Sequence, residues 1–339
     1  MGKVKKILFN NSKMNAETNV FVTGANGLLG CNTIIELLKC GFHVKGLLRS
    51  RGKYNSIKHE NLELIEGDIT NKEYLDEVLF NCEYVIHLAA ITDQNLLNYN
   101  LYEEINVIGT KNILLAAIKN KVRRIIYVST ANVFGFGPLN NLGDETKKMK
   151  HPFDKSFYAN SKKEGQDFAL SKINEIEVVI VNPTFMIGPY GSRPSSGKII
   201  LMGLKNPYVF CPPGGKNFVC AKDVAKGIIR AMKYGVNGEA YLLANENITF
   251  CNFFKLLRRN TKNNFLIIHV PKYALLLLGY IGNLIRSIGI KTNFSDVNMK
   301  ALCINNYYSN NKAKKQFEIN FNPIEEGIIE AIEWYSKTK

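Results

Sequence analysis

A tyrosine and a lysine four residues apart, Tyr158 and Lys162, have the chemistry needed to exchange a proton with a substrate oxygen. On a helix, side chains at positions i and i+4 lie on the same face, so the phenol and the ammonium would be neighbours. A free tyrosine ionises at a pH of about 10, and a nearby positive charge lowers this pKa because it stabilises the phenolate. We therefore expect Tyr158 to be a general acid when a carbonyl is reduced and a general base when an alcohol is oxidised.

Three more polar side chains could assist this chemistry. Ser129 and Thr130 close an apolar run that predicts a β-strand, and the carboxyl ends of parallel strands are where ligands bind. Either hydroxyl could donate a hydrogen bond to a developing oxyanion, or both could be ordinary turn residues. Asn106 interrupts an apolar helical run, where it would either hold a water that connects Lys162 to solvent or kink the helix.

A glycine-rich turn joins the first predicted strand to the first predicted helix. Gly24 permits the tight turn, Gly27 lets a pyrophosphate approach the backbone, and Gly30 lets helix and sheet pack closely. The free amides of the new helix N-terminus would face the negative charge of the pyrophosphate. This GxxGxxG arrangement predicts a dinucleotide site. Its residues are Gly24, Ala25, Asn26, Gly27, Leu28 and Leu29.

The end of the second predicted strand bears on the choice of coenzyme. An NAD site requires an acidic residue there to accept a hydrogen bond from the ribose 2′-hydroxyl, but Leu47 and Leu48 occupy this region. Arg49 comes next and could hold the 2′-phosphate of NADP, which we favour over NAD; a surface arginine is the other interpretation. Asp68 and Ile69, after the third predicted strand, are placed to contact the adenine, unless Asp68 is only a turn residue.

Residues 19–183 alternate short apolar runs with longer helical stretches. This alternation predicts an α/β fold, a doubly wound parallel sheet of the Rossmann type, because strands buried on both faces are continuously apolar. The predicted strands are residues 19–23, 43–48, 62–66, 84–88, 124–129 and 177–182, and the predicted helices are residues 28–39, 72–80, 99–120 and 156–172. After Pro183 the chain is broken by proline and glycine, which predicts a smaller C-terminal lobe over the end of the sheet.

The chain is expected to have three parts with an interleaved boundary. They are an N-terminal extension (residues 1–18), an NAD(P)-binding Rossmann domain (19–183) and a substrate-binding lobe (184–339). Predicted elements of the lobe are helices over residues 223–234, 250–259 and 273–288 and an extended segment over 239–243. The most apolar stretch, residues 273–290, contains Asn283 and Arg286, which argues against a membrane span. A buried or partner-facing helix is the favoured interpretation, and an interfacial membrane helix is the alternative.

The composition is that of an ordinary soluble globular protein, with 46% hydrophobic and 22% charged residues. Seven cysteines are scattered without a CxxC pair, so we expect free thiols in a cytoplasmic protein rather than a disulfide framework. The five histidines are equally dispersed, and no metal site is predicted. The net charge of +15 comes from short basic pairs spread along the chain, so we expect no nucleic-acid partner.

Together these motifs resemble those of the extended short-chain dehydrogenase/reductase family. The resemblance rests on the TGxxGxxG loop, the YxxxK pair, the hydroxyls that end the fifth strand, and the NVxGT run that begins at Asn106. It also includes residues 182–184 (NPT) and 218–225 (FVCAKDVA), and it extends from residue 20 to at least 334. Within the family the chain is most similar to the dihydroflavonol-reductase-like and 3β-hydroxysteroid-dehydrogenase-like branch.

The resemblance implies a role for each matching residue. Tyr158 would be the acid/base, Lys162 its assistant and Thr130 the oxyanion donor. The residues that would flank the coenzyme are Leu88, Ala89, Ala90 and Pro183. Many members of the family dimerise through their fourth and fifth helices (residues 99–120 and 156–172 here), which makes a homodimer one of the open alternatives for this chain.

The leading hypothesis is an NADP(H)-dependent carbonyl reductase or alcohol dehydrogenase that acts on a small hydroxy or keto compound. A nucleotide-sugar epimerase or dehydratase with tightly bound NAD would use the same tyrosine and lysine and is the alternative. A scaffold protein that uses the fold without turnover is a third class. The intact set of Tyr158, Lys162 and Thr130 argues against it.

Overall fold

The core of the computed structural model is a parallel β-sheet. The structure describes residues 18–54, 56–191 and 196–337, so residues 1–17 of the expected N-terminal extension lie outside the described residues. The strands, in chain order, are β1 (Asn19–Thr23), β2 (His43–Leu48), β3 (Leu62–Glu66), β4 (Tyr84–His87), β5 (Arg124–Val128), β6 (Glu177–Pro183), β7 (Phe185–Ile187), β8 (Tyr208–Cys211), β9 (Gly215–Cys220), β10 (Ala240–Leu243), β11 (Glu246–Thr249), β12 (Leu266–His269) and β13 (Asn305–Asn306). The helices are α1 (Leu28–Lys39), α2 (Lys72–Val78), α3 (Asn100–Tyr102), α4 (Gly109–Lys119), α5 (Phe157–Leu170), α6 (Lys198–Lys205), α7 (Ala221–Tyr234), α8 (Phe250–Asn260), α9 (Lys272–Ser287), α10 (Asp296–Leu302), α11 (Asn311–Phe317) and α12 (Ile324–Lys337).

In the described part of the chain, seven strands form the main sheet in the order β10-β6-β5-β4-β1-β2-β3, and all of them are parallel. This confirms the predicted doubly wound α/β fold. The winding reverses between β1 and β4, where Thr23 lies opposite His87 at the carboxyl ends. A ligand-binding crevice opens at such a switch point in sheets of this kind.

Helices cover both faces of the sheet, which explains why its strands are apolar on both sides. On one face α1, α7 and α11 enclose a core that contains Ile34 and Phe317. On the other face α2, α4 and α5 enclose a second core around Ile113. Successive side chains of a strand point to opposite faces of the sheet. In β5, Ile126 therefore packs in the core under α1, and its neighbour Ile125 packs in the core under α4.

The second lobe has a sheet of its own, β11-β9-β13 with β7 beside β9, and a two-stranded ribbon of β8 and β12. Its core is aromatic, with the ring of Phe218 stacked on that of Phe253 at a centroid distance of 4.4 Å. Only Thr184 separates the end of β6 from the start of β7. The lobe therefore begins at the carboxyl edge of the main sheet, where the crevice opens.

Three elements that follow residue 183 in the chain, namely α7, β10 and α11, belong to the layers of the main sheet. The helix α7 packs on α1, and β10 pairs in parallel with β6, so that Ala240 lies opposite Ile180. The extended segment expected at residues 239–243 is thus the edge strand of the main sheet. The chain leaves the Rossmann layers after Pro183 and returns to them twice.

The expectation that the cysteines are all free thiols is wrong for two of them. Cys211, at the end of β8, and Cys251, in the first turn of α8, form a disulfide with their Cα atoms 5.6 Å apart. They are 40 residues apart in sequence, and they meet because the Phe250 amide donates to the Gly214 carbonyl where α8 starts. Sequence spacing gives no sign of this contact. Five other cysteines of the described residues are free.

The most apolar stretch of the sequence forms α9, which is not a buried helix. Of its 16 residues it buries Leu275, Gly279 and Gly282, and the two glycines let it lie directly against Met299 of α10 and the carbonyl of Phe294. The rest of its surface is largely open. No helix of the described residues is long and apolar enough to cross a membrane.

Candidate active site

The glycine-rich turn leads from β1 into α1 at the edge of the crevice. Gly24 has φ +69°, and a Cβ there would come within 3.0 Å of the Ala89 amide nitrogen, while a Cβ at Gly30 would collide with the Gly24 carbonyl. Gly27 is the N-cap of α1, with no side-chain cap and no acidic residue in the first turn. The amides of Ala25 and Gly27 donate to the Leu47 and Gly24 carbonyls, so the amides left for phosphate oxygens are those at the start of α1, such as those of Leu28 and Leu29.

A chain of buried hydrogen bonds runs across the sheet edge below this turn. The Thr23 hydroxyl lies 2.8 Å from Nδ1 of His87, and Nε2 of His87 lies 3.0 Å from the Thr110 hydroxyl. Because Thr110 donates its proton to the Asn106 carbonyl, Nε2 must be the protonated nitrogen and Nδ1 must accept from Thr23. Burial lowers the pKa of His87 to about 3, so the ring is neutral and serves as a fixed connector.

The same chain holds the turn that was predicted to flank the coenzyme. The Thr23 oxygen accepts hydrogen bonds from the amides of Leu88 and Ala89, both at 3.0 Å. Leu88, Ala89 and Ala90 are half-buried beside Gly24. Sequence reasoning missed Thr23, although its place directly before the first glycine was a usable signal.

Beyond this turn the chain is fastened to the C-terminal lobe. The Arg286 guanidinium of α9 donates to the carbonyls of Asn95 and Leu96, at 2.9 and 2.7 Å. Lys291 forms an ion pair with Asp93 at 2.7 Å. The loop after β4 is therefore held from the lobe as well as from the sheet.

Asn106 lies in a π-helical segment (Glu103–Ile108) between α3 and α4. Its side-chain oxygen accepts from the Ile91 amide at 2.7 Å, and its nitrogen donates to the Ile91 carbonyl at 3.1 Å and to the Ser161 hydroxyl at 2.9 Å. The amide thus joins the loop after β4 to α5. It makes no hydrogen bond to the amine of Lys162.

The structure brings Thr130 and Tyr158 together. Tyr158 is in the first turn of α5, which Ser156 caps, and the Thr130 hydroxyl interacts with its phenol. The backbone of Thr130 is held by Asn182 of β6, whose amide donates to the Thr130 carbonyl and to the Gln166 side chain, each at 3.0 Å. The backbone that carries the Thr130 hydroxyl is therefore fixed to β6 and, through Gln166, to the helix that carries Tyr158.

Lys162 lies one helical turn further, 1% exposed, with its amine 4.3 Å from the centre of the Tyr127 ring. The amine has no hydrogen-bond partner among the described residues, and neither has the buried hydroxyl of Ser129. Burial lowers the pKa of Lys162 to about 7. Buried donors without partners are rare in folded proteins, and a polar ligand in the crevice would satisfy these two.

Burial also decides the ionisation of Tyr158. It raises the pKa of the phenol to about 12, although the Thr130 hydroxyl acts in the opposite direction. The sequence predicts a pKa lowered by the neighbouring lysine together with the positive charge of a bound nicotinamide, and the structure tests the effect of the lysine alone. The burial that encloses both groups disfavours the charged form of each, so the lysine does not lower the phenol pKa by itself.

The residues predicted to select the coenzyme lie at the ends of β2 and β3. Arg49 is exposed and has no hydrogen bond or ion pair among the described residues, whereas Arg51 is engaged with the Leu64 carbonyl at 2.6 Å. One oxygen of Asp68 accepts from the amide and the hydroxyl of Thr70, both at 2.9 Å, which is a turn arrangement. The buried side chain of Ile69 follows it.

The lobe contributes a cation that the sequence analysis missed. Pro183 ends β6 at the carboxyl edge, and Phe185 begins β7 two residues later. The amine of Lys216 on β9 lies 4.5 Å from the centre of the Phe185 ring, and burial lowers the pKa of Lys216 to about 8. No acidic partner of this amine is found among the described residues.

These observations fit a nicotinamide dinucleotide. The open amides of α1, the close approach at Gly24 and the unpartnered amine of Lys162 would hold its pyrophosphate and sugar groups. Arg49, exposed and without a partner in the part of the chain that the structure describes, would be available to the adenosine end of the coenzyme. Tyr158 and Thr130 would then stand where the substrate oxygen is held.

Comparison with known proteins agrees with this description. The model of the NAD dependent epimerase/dehydratase family matches residues 20–244. A Synechocystis sp. protein provisionally named dihydroflavonol 4-reductase is 26% identical and covers 93% of this chain and 94% of its own. The UDP-glucose 4-epimerase of Vibrio cholerae is 32% identical over 50% of this chain and 52% of its own. The crystal structure of gox2253 is 26% identical, with a TM-score of 0.78 over 95% of this chain and 98% of that one.

Proposed function

The chain belongs to the NAD-dependent epimerase/dehydratase family of NAD(P)-dependent enzymes, and we propose that it is an NADP(H)-dependent oxidoreductase that interconverts an alcohol and a carbonyl of a small molecule. The observation that supports this most is the buried amine of Lys162, which has no hydrogen-bond partner among the described residues and lies one turn along α5 from Tyr158, the phenol whose pKa burial raises and the Thr130 hydroxyl lowers. A nicotinamide coenzyme would supply the hydride and, when oxidised, a positive charge. The relatives named as a reductase point the same way.

Each residue of this set has one task in the proposed reaction. Tyr158 gives its phenolic proton to the substrate oxygen in reduction and takes one in oxidation. Thr130 donates a hydrogen bond to the same oxygen as negative charge develops there. Lys162 offers its amine to the coenzyme, since the described residues provide no hydrogen-bond partner for it.

The test is a comparison of wild type with Tyr158→Phe. Both proteins should change NADPH fluorescence equally on titration, because the ring remains and only the hydroxyl is lost. Wild type should oxidise NADPH with members of a panel of small ketones and aldehydes, and the variant should be slower by a factor of about 100 or more. No fluorescence change with wild type, or equal turnover by the variant, would refute the proposal.

The proposed preference for NADP rests on Arg49. Arg49→Ala should weaken NADPH binding about tenfold, because a charge-assisted hydrogen bond is lost, and should leave NADH binding unchanged. Arg123→Ala is a matched control, because this exposed arginine lies at the amino ends of the strands, directly before β5, whereas Arg49 lies at their carboxyl ends. Equal losses for both coenzymes would argue against a 2′-phosphate site.

A nucleotide-sugar epimerase with retained NAD is the second candidate. Lys216 favours it, because an unpaired, half-buried amine near Phe185 would suit an anionic diphosphate. The similarity to the Vibrio cholerae UDP-glucose 4-epimerase points the same way. Stoichiometric NAD released on unfolding, together with UDP binding that Lys216→Met removes, would favour this activity over the first.

We also propose a homodimer formed through α4 and α5. Large apolar side chains on and beside these helices are exposed, namely Leu101, Ile108, Leu115 and Phe157. Sedimentation of wild type should give twice the chain mass, and Ile108→Glu should give the mass of one chain. A monomeric wild type would contradict this proposal.

A further inference from the structure

The side of α9 that faces away from α10 is apolar. Opposite the buried strip of the helix lie six large side chains, each between 43% and 76% exposed. They are Tyr273, Leu277, Tyr280, Ile281, Leu284 and Ile288. Their positions follow the spacing i, i+4, i+7, i+8, i+11 and i+15, which places them in one stripe of about 100° of the helix circumference. An ordinary surface helix presents polar side chains there.

The ribbon that precedes α9 has the same character. Tyr208 and Phe210 of β8 and their partners Leu266 and Ile268 of β12 are all exposed, because alternate residues of each strand point outwards. Only Val270 and Pro271 separate this ribbon from α9. We call the six helix side chains and these four ribbon side chains the apolar face.

The chain around the apolar face is basic. Residues 247–295 contain seven lysines and arginines and no aspartate or glutamate, and acidic residues from outside this range pair with two of the seven, Arg259 and Lys291. Lys262 precedes β12, and Lys272 begins α9; both are exposed and have no ion pair among the described residues. An exposed apolar patch of this extent marks a binding surface, and its charged surroundings select the partner.

We propose that the apolar face docks on the surface of a lipid bilayer that carries anionic headgroups. Burial of the apolar side chains between the lipid headgroups supplies the attraction, and Lys262 and Lys272 add the pairing with lipid phosphates. The helix lies on the bilayer and does not cross it, because its 16 residues are fewer than the roughly 20 that a membrane span needs.

A second copy of the chain fits this surface less well. In a twofold interface the same patch meets itself, so the lysines of one copy would approach those of the other. The acidic residues that could neutralise them are absent from residues 247–295. A bilayer with anionic lipid complements both the apolar side chains of the face, which would be buried between the headgroups, and the positive charge of the lysines beside it. Docking of this kind also does not depend on the proposed redox activity.

The experiment is flotation of the full-length protein with vesicles of phosphatidylcholine, alone or mixed with phosphatidylserine. Wild type should float with the mixed vesicles and bind the neutral ones at least about tenfold more weakly, and salt should weaken the binding. Leu277→Asn with Leu284→Asn should reduce binding by a factor of about 100, since burying one large apolar side chain is worth about tenfold or more. Lys262→Gln with Lys272→Gln should reduce binding to the mixed vesicles only.

Leu139→Asn is the matched control, because Leu139 is 68% exposed on a loop outside the apolar face. It should float as wild type does. Thermal unfolding of each variant should match that of wild type, since the substituted side chains are exposed. Wild type that remains unbound to the mixed vesicles, or binds both vesicle types equally, overturns the proposal. So does a loss of oligomeric mass caused by the α9 substitutions in the absence of vesicles, because a second copy would then cover the face.

Discussion

Replacing Lys162 with methionine is expected to stabilise the coenzyme-free protein while it abolishes turnover. The amine is buried, lies over the ring of Tyr127 and finds no hydrogen-bond partner among the residues that the structure describes. A buried charge without a partner destabilises a fold, whereas methionine would occupy similar space without one. At this position the reaction requires an amine, whereas the stability of the fold would be greater with an uncharged side chain.

The magnitude follows from the pKa of Lys162, which burial lowers from 10.5 to about 7. At a pH between about 7 and 10.5 the lysine is protonated in the unfolded chain and neutral in the folded protein, so folding releases a proton. The free-energy cost of burying Lys162 therefore grows as the pH falls through this range. The cost is fully present below about pH 7, where it amounts to about 5 kcal/mol, and it disappears as the pH rises to the unfolded-state value of 10.5. The cation–π contact with the Tyr127 ring stabilises the charged amine in the folded protein by about 2 kcal/mol and offsets part of this cost. The variant should therefore be more stable by about 3 kcal/mol at neutral pH.

Urea unfolding of the coenzyme-free proteins measures this difference. The advantage of Lys162→Met over wild type should be largest near neutral pH and should shrink steadily towards a pH of about 10. Lys163→Met is the control, because this neighbouring lysine is exposed and paired with Asp167, and its removal should change stability little at either pH. A methionine variant that is less stable at neutral pH, or a difference independent of pH, would refute the reasoning.

Three further predictions concern other parts of the molecule. Thr130→Val should lower kcat by a factor of about 100 at unchanged NADPH affinity, measured by steady-state kinetics and fluorescence titration; an unaltered kcat would remove Thr130 from the reaction. Gly30→Ala should abolish NADPH binding or destabilise the protein, because its Cβ would collide with the Gly24 carbonyl, and calorimetry should show either effect. Cys251→Ser should lower the free energy of unfolding by about 2–4 kcal/mol without reductant, and a reductant should bring wild type to the same value; no difference would mean that the disulfide does not form.

The parts of the structure that could be predicted are those governed by local pattern. The strands β1, β2 and β3 match the predicted bounds, because a continuous apolar run between polar turns specifies a doubly buried strand. The glycine turn before α1 and the neighbours Tyr158 and Lys162 on α5 follow from short-range spacing in the same way.

What could not be predicted depends on contacts between distant parts of the chain. The pairing of β10 with β6, the disulfide of Cys211 with Cys251 and the exposure of one side of α9 arise only when the lobe is assembled. The raised pKa of Tyr158 is of the same kind, since burial by the surrounding fold outweighs the lysine one helical turn away.

The grip of Arg286 on the loop after β4 gives α9 a mechanical part in the molecule. Arg286 is in the last turn of α9, and its guanidinium donates hydrogen bonds to the carbonyls of Asn95 and Leu96. If α9 tilts, either the loop after β4 moves with it or both hydrogen bonds of Arg286 break. The position of α9 is therefore coupled to the position of this loop. A partner bound to α9 would therefore act on the loop after β4 through these two hydrogen bonds.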